Sequence, residues 1–132
     1  MVKSICVFDQ PVFFINIEGS TPKSLSRVIG TYPPAIKLYS AVSLLSKNIS
    51  DLIFNGPDTE LIKTNNAQPA ILISSIAMLE VIKSKKKIKL SNFCKFLAGH
   101  SLGEYTALYA SNVLDFQSVL KLVKHRGILM SK

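Results

Sequence analysis

The chain has two cysteines, Cys6 and Cys94, and neither has a C-x-x-C partner or a histidine cluster beside it. This excludes a disulfide framework and a cysteine-based metal site, and points to buried strand residues of a reducing compartment. Acidic residues are scarce, with 8 Asp and Glu against 16 Lys and Arg and a net charge of +8. No aromatic residues interleave with the basic ones as a nucleic-acid surface requires, so the charge does not predict a nucleic-acid partner. The dense cluster Lys83, Lys85, Lys86, Lys87 and Lys89 reads instead as a solvated helix end and loop, where cations meet the helix dipole favourably. There is no signal-peptide pattern: Ile5 to Ile17 is apolar but interrupted by Asp9, Gln10, Pro11 and Asn16. The longest apolar run, Pro69 to Ile82, holds Ser74, Ser75 and Glu80 and is too short to span a bilayer. A cytoplasmic protein with no membrane partner is expected. What is abundant is apolar content, 48% of 132 residues, which suits one modest domain with a core and argues against disorder.

The most informative stretch runs from Leu97 to Leu108 and carries a G-x-S-x-G core, Gly99-His100-Ser101-Leu102-Gly103. Cys94 to Ala98 predicts a short buried strand, and Glu, Ala and Leu after Leu102 favour helix, which puts Ser101 on the sharp turn between them. This is the pattern of a nucleophile elbow. The serine is held in a strained conformation, and Gly99 and Gly103 lack the Cβ atoms that would collide where strand and helix pass. The backbone N–H of Leu102, at the helix start, points where an oxyanion would form. Acyl transfer through a serine ester is the chemistry these residue types suit.

The flanking chain reads as scaffold. Ser4 to Phe8 predicts a first strand of the buried parallel type, Val12 to Ile17 another, and Glu18 to Lys23 a loop. Pro33 to Ser46 predicts a helix with Ile36, Tyr39 and Val42 or Leu45 on one apolar face. Asp51 to Phe54 reads as a helical turn ended by Asn55-Gly56, and Thr59 to Thr64 as another turn. Pro69 suits the first position of a long buried helix through Ile82. Gln68, at its mouth, either lines the site or caps free helix N–H groups. Asp115 is a good N-cap for a helix from Phe116 to His125, whose buried face is Phe116, Val119, Leu120 and Val123. His125, near its end, reads as a cation for the helix dipole, with a general-base role for Ser101 as the rival. His100 adjoins Ser101 on a tight turn, so the two side chains point apart and His100 is expected to pack beneath the elbow.

The run G-H-S-L-G-E-Y-T-A-L, followed by Leu122-Val123-Lys124-His125-Arg126-Gly127-Ile128-Leu129-Met130, closely resembles the malonyl-CoA:acyl carrier protein transacylases and the related acyltransferase domains of polyketide synthases. Upstream, Asn55-Gly56-Pro57, Glu60-Leu61, Thr64 and Gln68-Pro69-Ala70-Ile71 look like the same family in the same order. The resemblance covers Tyr32 to Lys132, so residues 32–132 read as family-like and residues 1–31 depart from the pattern. Relatives follow the first strand with a Pro-Gly-Gln-Gly-Ser-Gln loop whose glutamine supplies a second oxyanion donor. Here Asp9-Gln10-Pro11-Val12-Phe13-Phe14 stands in its place, and the role is not carried over to Gln10. Compensating frame shifts or an insertion would leave such a pattern.

The resemblance implies an α/β fold: part of an α/β-hydrolase-like (malonyltransferase) main domain, with the ferredoxin-like subdomain absent. It implies malonyl transfer from coenzyme A to acyl carrier protein through an acyl-serine in fatty-acid biosynthesis, with Ser101 as nucleophile and the Leu102 N–H in the oxyanion hole. Arg126 matches the arginine that pairs with the malonyl carboxylate, a group its planar fork fits; the rival is a structural salt bridge. Gln68 would join the substrate site. No cofactor or metal is implied beyond the coenzyme A thioester as substrate, and the partners are malonyl-CoA and acyl carrier protein. The lysine cluster has a lesser reading as a dock for that acidic carrier or a coenzyme A phosphate. The family's catalytic histidine falls beyond Lys132, so the 132 residues alone are expected to be nearly silent. Two rivals remain: a degenerate remnant or one half of a split transacylase with a separately encoded C-terminal half, and an α/β-hydrolase esterase using Asp115 and His125.

Overall fold

The computed structural model describes residues 2–7, 10–15, 30–45 and 47–132, with the side chains of residues 2–15, 44, 45 and 47 excepted. The expected loop from Glu18 to Lys23 and any burial of Cys6 lie outside what is described. Three strands form one sheet in the order β1 (Val2–Val7), β2 (Gln10–Ile15), β3 (Phe96–Ala98). Runs of Val, Ile and Phe explain the strands. Their direction differs from expectation: β1 pairs antiparallel with β2, Val2 opposite Ile15 through Val7 opposite Gln10, and it is β2 that runs parallel to β3, Val12 beside Phe96. Pro11 lies just outside the stretch that β3 flanks, where its missing N–H interrupts no pairing with that strand.

Helices make up most of the described chain. They are α1 (Pro33–Leu45), α2 (Lys47–Asn55), α3 (Asp58–Leu61), α4 (Thr64–Lys86), α5 (Leu102–Ala110) and α6 (Phe116–Met130), with a 3₁₀ turn at Leu90–Asn92. In α1 Tyr39 and Val42 are buried as expected, but Ile36 is 49% exposed and Ala35 takes its place on the buried face. Tyr39 meets Phe54 of α2 edge to face at 4.8 Å. Gly56, at φ 77°, then turns the chain out of α2.

Helix α4 is the axis of the core and packs against α1, α5 and α6. Ala70, Leu72, Ile73, Ile76 and Ala77 on it are fully buried. Its buried Ser74 and Ser75 donate to the carbonyls of Ala70 and Ile71 at 2.9 and 2.8 Å, which satisfies both hydroxyls within the helix. The helix is longer than expected at both ends. It starts at Thr64, so Pro69 sits inside it rather than at its first position. The N–H that Pro69 lacks would have met the Asn65 carbonyl, still in the first turn, so only one ladder bond is forgone. At the far end it continues through Lys83, Lys85 and Lys86 and stops where Lys87 turns left-handed at φ 51°. The lysine cluster therefore lies on a helix end, as expected. At 23 residues, α4 is long and apolar enough by length and composition to cross a membrane, contrary to the shorter run read from the sequence. Its buried share, 61% of the apolar window, is taken up by the other helices, as in a core helix.

Asp115 caps α6 by accepting from the Ser118 N–H at 2.7 Å, and that bond holds its carboxyl below the ordinary value of 3.8. Val119, Leu120 and Val123 form the buried face, with Phe116 only partly buried. The helix runs five residues past His125 to Met130, so His125 is not in the last turn and the dipole reading of it does not hold.

Candidate active site

The elbow forms at the carboxyl end of β3. Gly99, His100 and Ser101 follow the strand and α5 begins at Leu102, the strand end at which open α/β sheets present ligand sites. Ser101 has φ 52° and ψ −110°, a left-handed conformation costly for a residue with a Cβ. Of the two elbow glycines, Gly99 is the one whose missing side chain makes room. A Cβ there would lie 2.0 Å from the Gly103 carbonyl carbon, so strand and helix could not pass as they do. The strand itself is shorter and more open than expected: only Phe96–Ala98 pair, and Phe96 is 63% exposed. Cys94, just before it, is buried, donates weakly to the Leu90 carbonyl, and has its thiol pushed up by burial, as a structural cysteine should.

At the head of α5 the Gly103 N–H is bonded to the His100 carbonyl at 2.9 Å and the Glu104 N–H to the Ser101 carbonyl at 3.2 Å. The Leu102 N–H has no partner among the described residues, as the first donors of a helix commonly do not. It lies next to an exposed serine hydroxyl.

Arg126 reaches this hydroxyl from α6. Its Nη2 donates to Ser101 Oγ at 2.9 Å, its Nη1 donates to Gln68 Oε1, and its guanidinium lies 5.8 Å from the centre of the Tyr105 ring, within cation–π range. Gln68 comes from the first turns of α4, is only 8% exposed, and turns its amide nitrogen to Met130 Sδ at 3.1 Å. Helices α4 and α6 approach closely enough for this because Gly127 has no side chain. A Cβ there would meet Asn65 Cα at 3.1 Å and the Thr64 carbonyl at 3.2 Å. The four residues expected at the site, Ser101, Leu102, Gln68 and Arg126, are thus brought together. Gln68 does not act as a helix cap, since its polar atoms face α6.

The histidines behave differently. His100 and His125 are both exposed and neither is bonded to Ser101; His100 does not pack beneath the elbow. Sequence reasoning overlooked Tyr105, Gly127 and Met130. The glycine directly after the arginine was the signal available, as a mark of close helix approach. Among the described residues no three His, Cys, Asp or Glu side chains cluster to hold a metal. A cavity of about 560 Å³, lined by Lys83, Leu90, Cys94, Lys95 and Phe96, lies at the opposite end of β3 and includes none of the four site residues.

Chemically, this arrangement offers a hydroxyl free to take an acyl group, a backbone donor beside it, and a two-pronged cation suited to a carboxylate. No protein-family model matches the chain. It is 48% identical over 90 residues to a malonyl CoA-acyl carrier protein transacylase of Bacillus subtilis, covering 68% of this chain and 22% of that protein. It is 43% identical over 118 residues to the transacylase of the same name from Haemophilus influenzae, covering 87% and 36%. The solved structure of the Coxiella burnetii malonyl CoA-acyl carrier protein transacylase superposes with a TM-score of 0.77 at 30% identity, over 92% of this chain and 38% of that one. The chain therefore spans well under half the length of the proteins it matches. Likeness in both sequence and fold over most of its residues places this chain in the malonyl-CoA:acyl carrier protein transacylase family, as a segment of the family's α/β fold.

Proposed function

We propose that this chain carries the acyl-accepting part of an enzyme that moves malonyl from coenzyme A to acyl carrier protein in fatty-acid synthesis. The reading rests on the meeting, on one open face, of an exposed serine at a strained strand-to-helix turn and an arginine fork 2.9 Å from its hydroxyl. Ser101 Oγ attacks the thioester carbonyl, the C–S bond breaks, and the serine proton ends on the departing coenzyme A thiol. The carrier-protein thiol then attacks the malonyl-serine ester and returns the proton to Ser101. The Leu102 N–H, without a partner among the described residues, supports one half of the oxyanion site. Arg126 takes the free carboxylate of malonyl. Of its five N–H donors two are engaged, one on each terminal nitrogen, so three remain to meet the carboxylate oxygens. The reaction so written needs no resident cofactor or metal, since the coenzyme A thioester is the substrate.

The names of the relatives support donor and acceptor alike. The same proposal takes residues 32–132 as part of an α/β-hydrolase-like main domain, residues 1–31 as its divergent start, and the cytoplasm as its location. An esterase is less well supported, because Asp115 is engaged as a helix cap and His125 points to solvent. One second reading is favoured by an observation: no histidine is bonded to Ser101, so we assign the base to the remainder of the family fold, on the same or another chain. These 132 residues alone should then turn over at or near background, since a missing base costs about 10²–10⁴ in rate. Incubation with malonyl-CoA followed by peptide mapping should find a slow ester on Ser101, absent after Ser101→Ala. Label on Cys6 or Cys94 with none on Ser101 would contradict the assignment.

A further inference from the structure

The site contains one buried polar side chain that the proposed reaction does not use. Gln68 is 8% exposed, yet its amide oxygen accepts from Arg126 Nη1 and its amide nitrogen faces the Met130 thioether. We infer that Gln68 is a positioning residue: it holds the Arg126 fork in register with Ser101 so that a substrate carboxylate meets a preset guanidinium, and it sets the preference for carboxylate-bearing acyl groups without touching substrate. The inference rests on the reading of Arg126 as the carboxylate partner.

The chemistry favours glutamine here over its charged or apolar counterparts. A neutral amide oxygen restrains a guanidinium while leaving its positive charge free for substrate, whereas a glutamate at the same place would neutralise it. An apolar residue would restrain nothing. The Met130 contact fixes which way the amide is turned. Sulfur is a weak acceptor, so it takes the NH₂ end and directs the oxygen to Arg126. The backbones are fixed as well. Gln68 lies in the first turns of α4, which crosses α6 closely at Gly127, the residue after Arg126. Both ends of the hydrogen bond thus sit on packed helices, as a preorganised site requires. The Tyr105 ring gives the guanidinium a third contact and limits its swing.

The test uses the full chain with Ser101→Ala, which cannot be acylated at that position, and compares binding of malonyl-CoA with acetyl-CoA by NMR titration, following the Arg126 side-chain N–H signals. The starting chain should prefer malonyl-CoA. Gln68→Leu, close in shape, should weaken malonyl-CoA binding by about tenfold, the order expected for one hydrogen bond to a charged group, and leave acetyl-CoA unchanged. Gln68→Glu should erase the preference and shift the Arg126 signals before any ligand is added. Circular dichroism on each variant checks that α4 and α6 still form. If Arg126→Ala abolishes the preference while both Gln68 variants keep it, the positioning role is overturned and the arginine reading stands. If the starting chain shows no preference, or Arg126→Ala leaves it intact, the arginine reading itself fails and this inference with it.

Discussion

Ser101 holds a conformation that its neighbours impose. A residue with a Cβ at φ 52° and ψ −110° costs on the order of 1–3 kcal/mol, held in place here by the close passage of β3 and α5 at Gly99. Relieving that strain should be measurable apart from losing the hydroxyl. Both Ser101→Ala and Ser101→Gly remove the oxygen, and only the second frees the backbone, so the glycine variant should be more stable than the alanine variant by about 1 kcal/mol in urea unfolding. Equal stabilities would mean the elbow is not strained. At this scale the sequence was informative where chemistry is local. A serine between two elbow glycines could be read from its neighbours alone, whereas Arg126 was singled out only by the resemblance of the run around it. His100 could not, because whether it is buried depends on what lies across the elbow, and no pattern around it carries that.

Helices α4 and α5 are joined by a polar link inside an otherwise apolar contact. The Tyr109 hydroxyl donates to Glu80 Oε1 at 3.2 Å, and Lys83 holds the same oxygen at 2.7 Å. Burial first, then the Glu80 charge and hydrogen bond, push the Tyr109 hydroxyl from its ordinary 10.0 up to about 12. A raised value means that the folded chain binds the phenol proton more tightly than the unfolded one. The stabilisation is therefore complete below pH 10.0 and is lost as pH rises toward 12. Urea unfolding across that window should show a steeper alkaline loss of stability in the starting chain than in Tyr109→Phe. Parallel losses would show that the tyrosine does not titrate against the fold.

The helices α1, α4 and α6 were readable from apolar spacing, and the α6 cap from Asp115, but α2 was read only as the turn Asp51 to Phe54 and α3 as a turn from Thr59 to Thr64. The helix ends were not readable. The Pro69 ring suits a helix start, yet α4 begins at Thr64, with the Asn66 and Ala67 N–H groups bonded to the Lys63 carbonyl and Gly127 close against that first turn. Likewise α6 continues past His125 because Gln68 and the elbow give Arg126 and Met130 partners on a helical frame. The direction in which β1 meets β2 was hidden as well, since β-branched residues favour a strand of either sense.

For the whole molecule, the described residues form a helical core around α4, with a smaller cluster of Leu79, Leu90, Cys94 and Ala110 beside it and the elbow on the rim. Apolar side chains remain on the surface: Phe96 on β3, and Leu122, Ile128, Leu129 and Met130 on α6. Several of them flank Arg126 in sequence, so the surface beside the site is apolar. The proteins this chain resembles are much longer, and the chain covers 38% of the Coxiella burnetii structure. In the proposed function Ser101 accepts the acyl group and needs the remainder of such a fold to do so at speed. The most direct measurement replaces the corresponding segment of the Coxiella burnetii transacylase with residues 32–132 and follows malonyl transfer to carrier protein, once circular dichroism shows the chimera folded. Transfer should be restored and should fall by about 10⁴-fold or more on Ser101→Ala. A folded chimera whose transfer rate is unchanged by Ser101→Ala would contradict that role for Ser101.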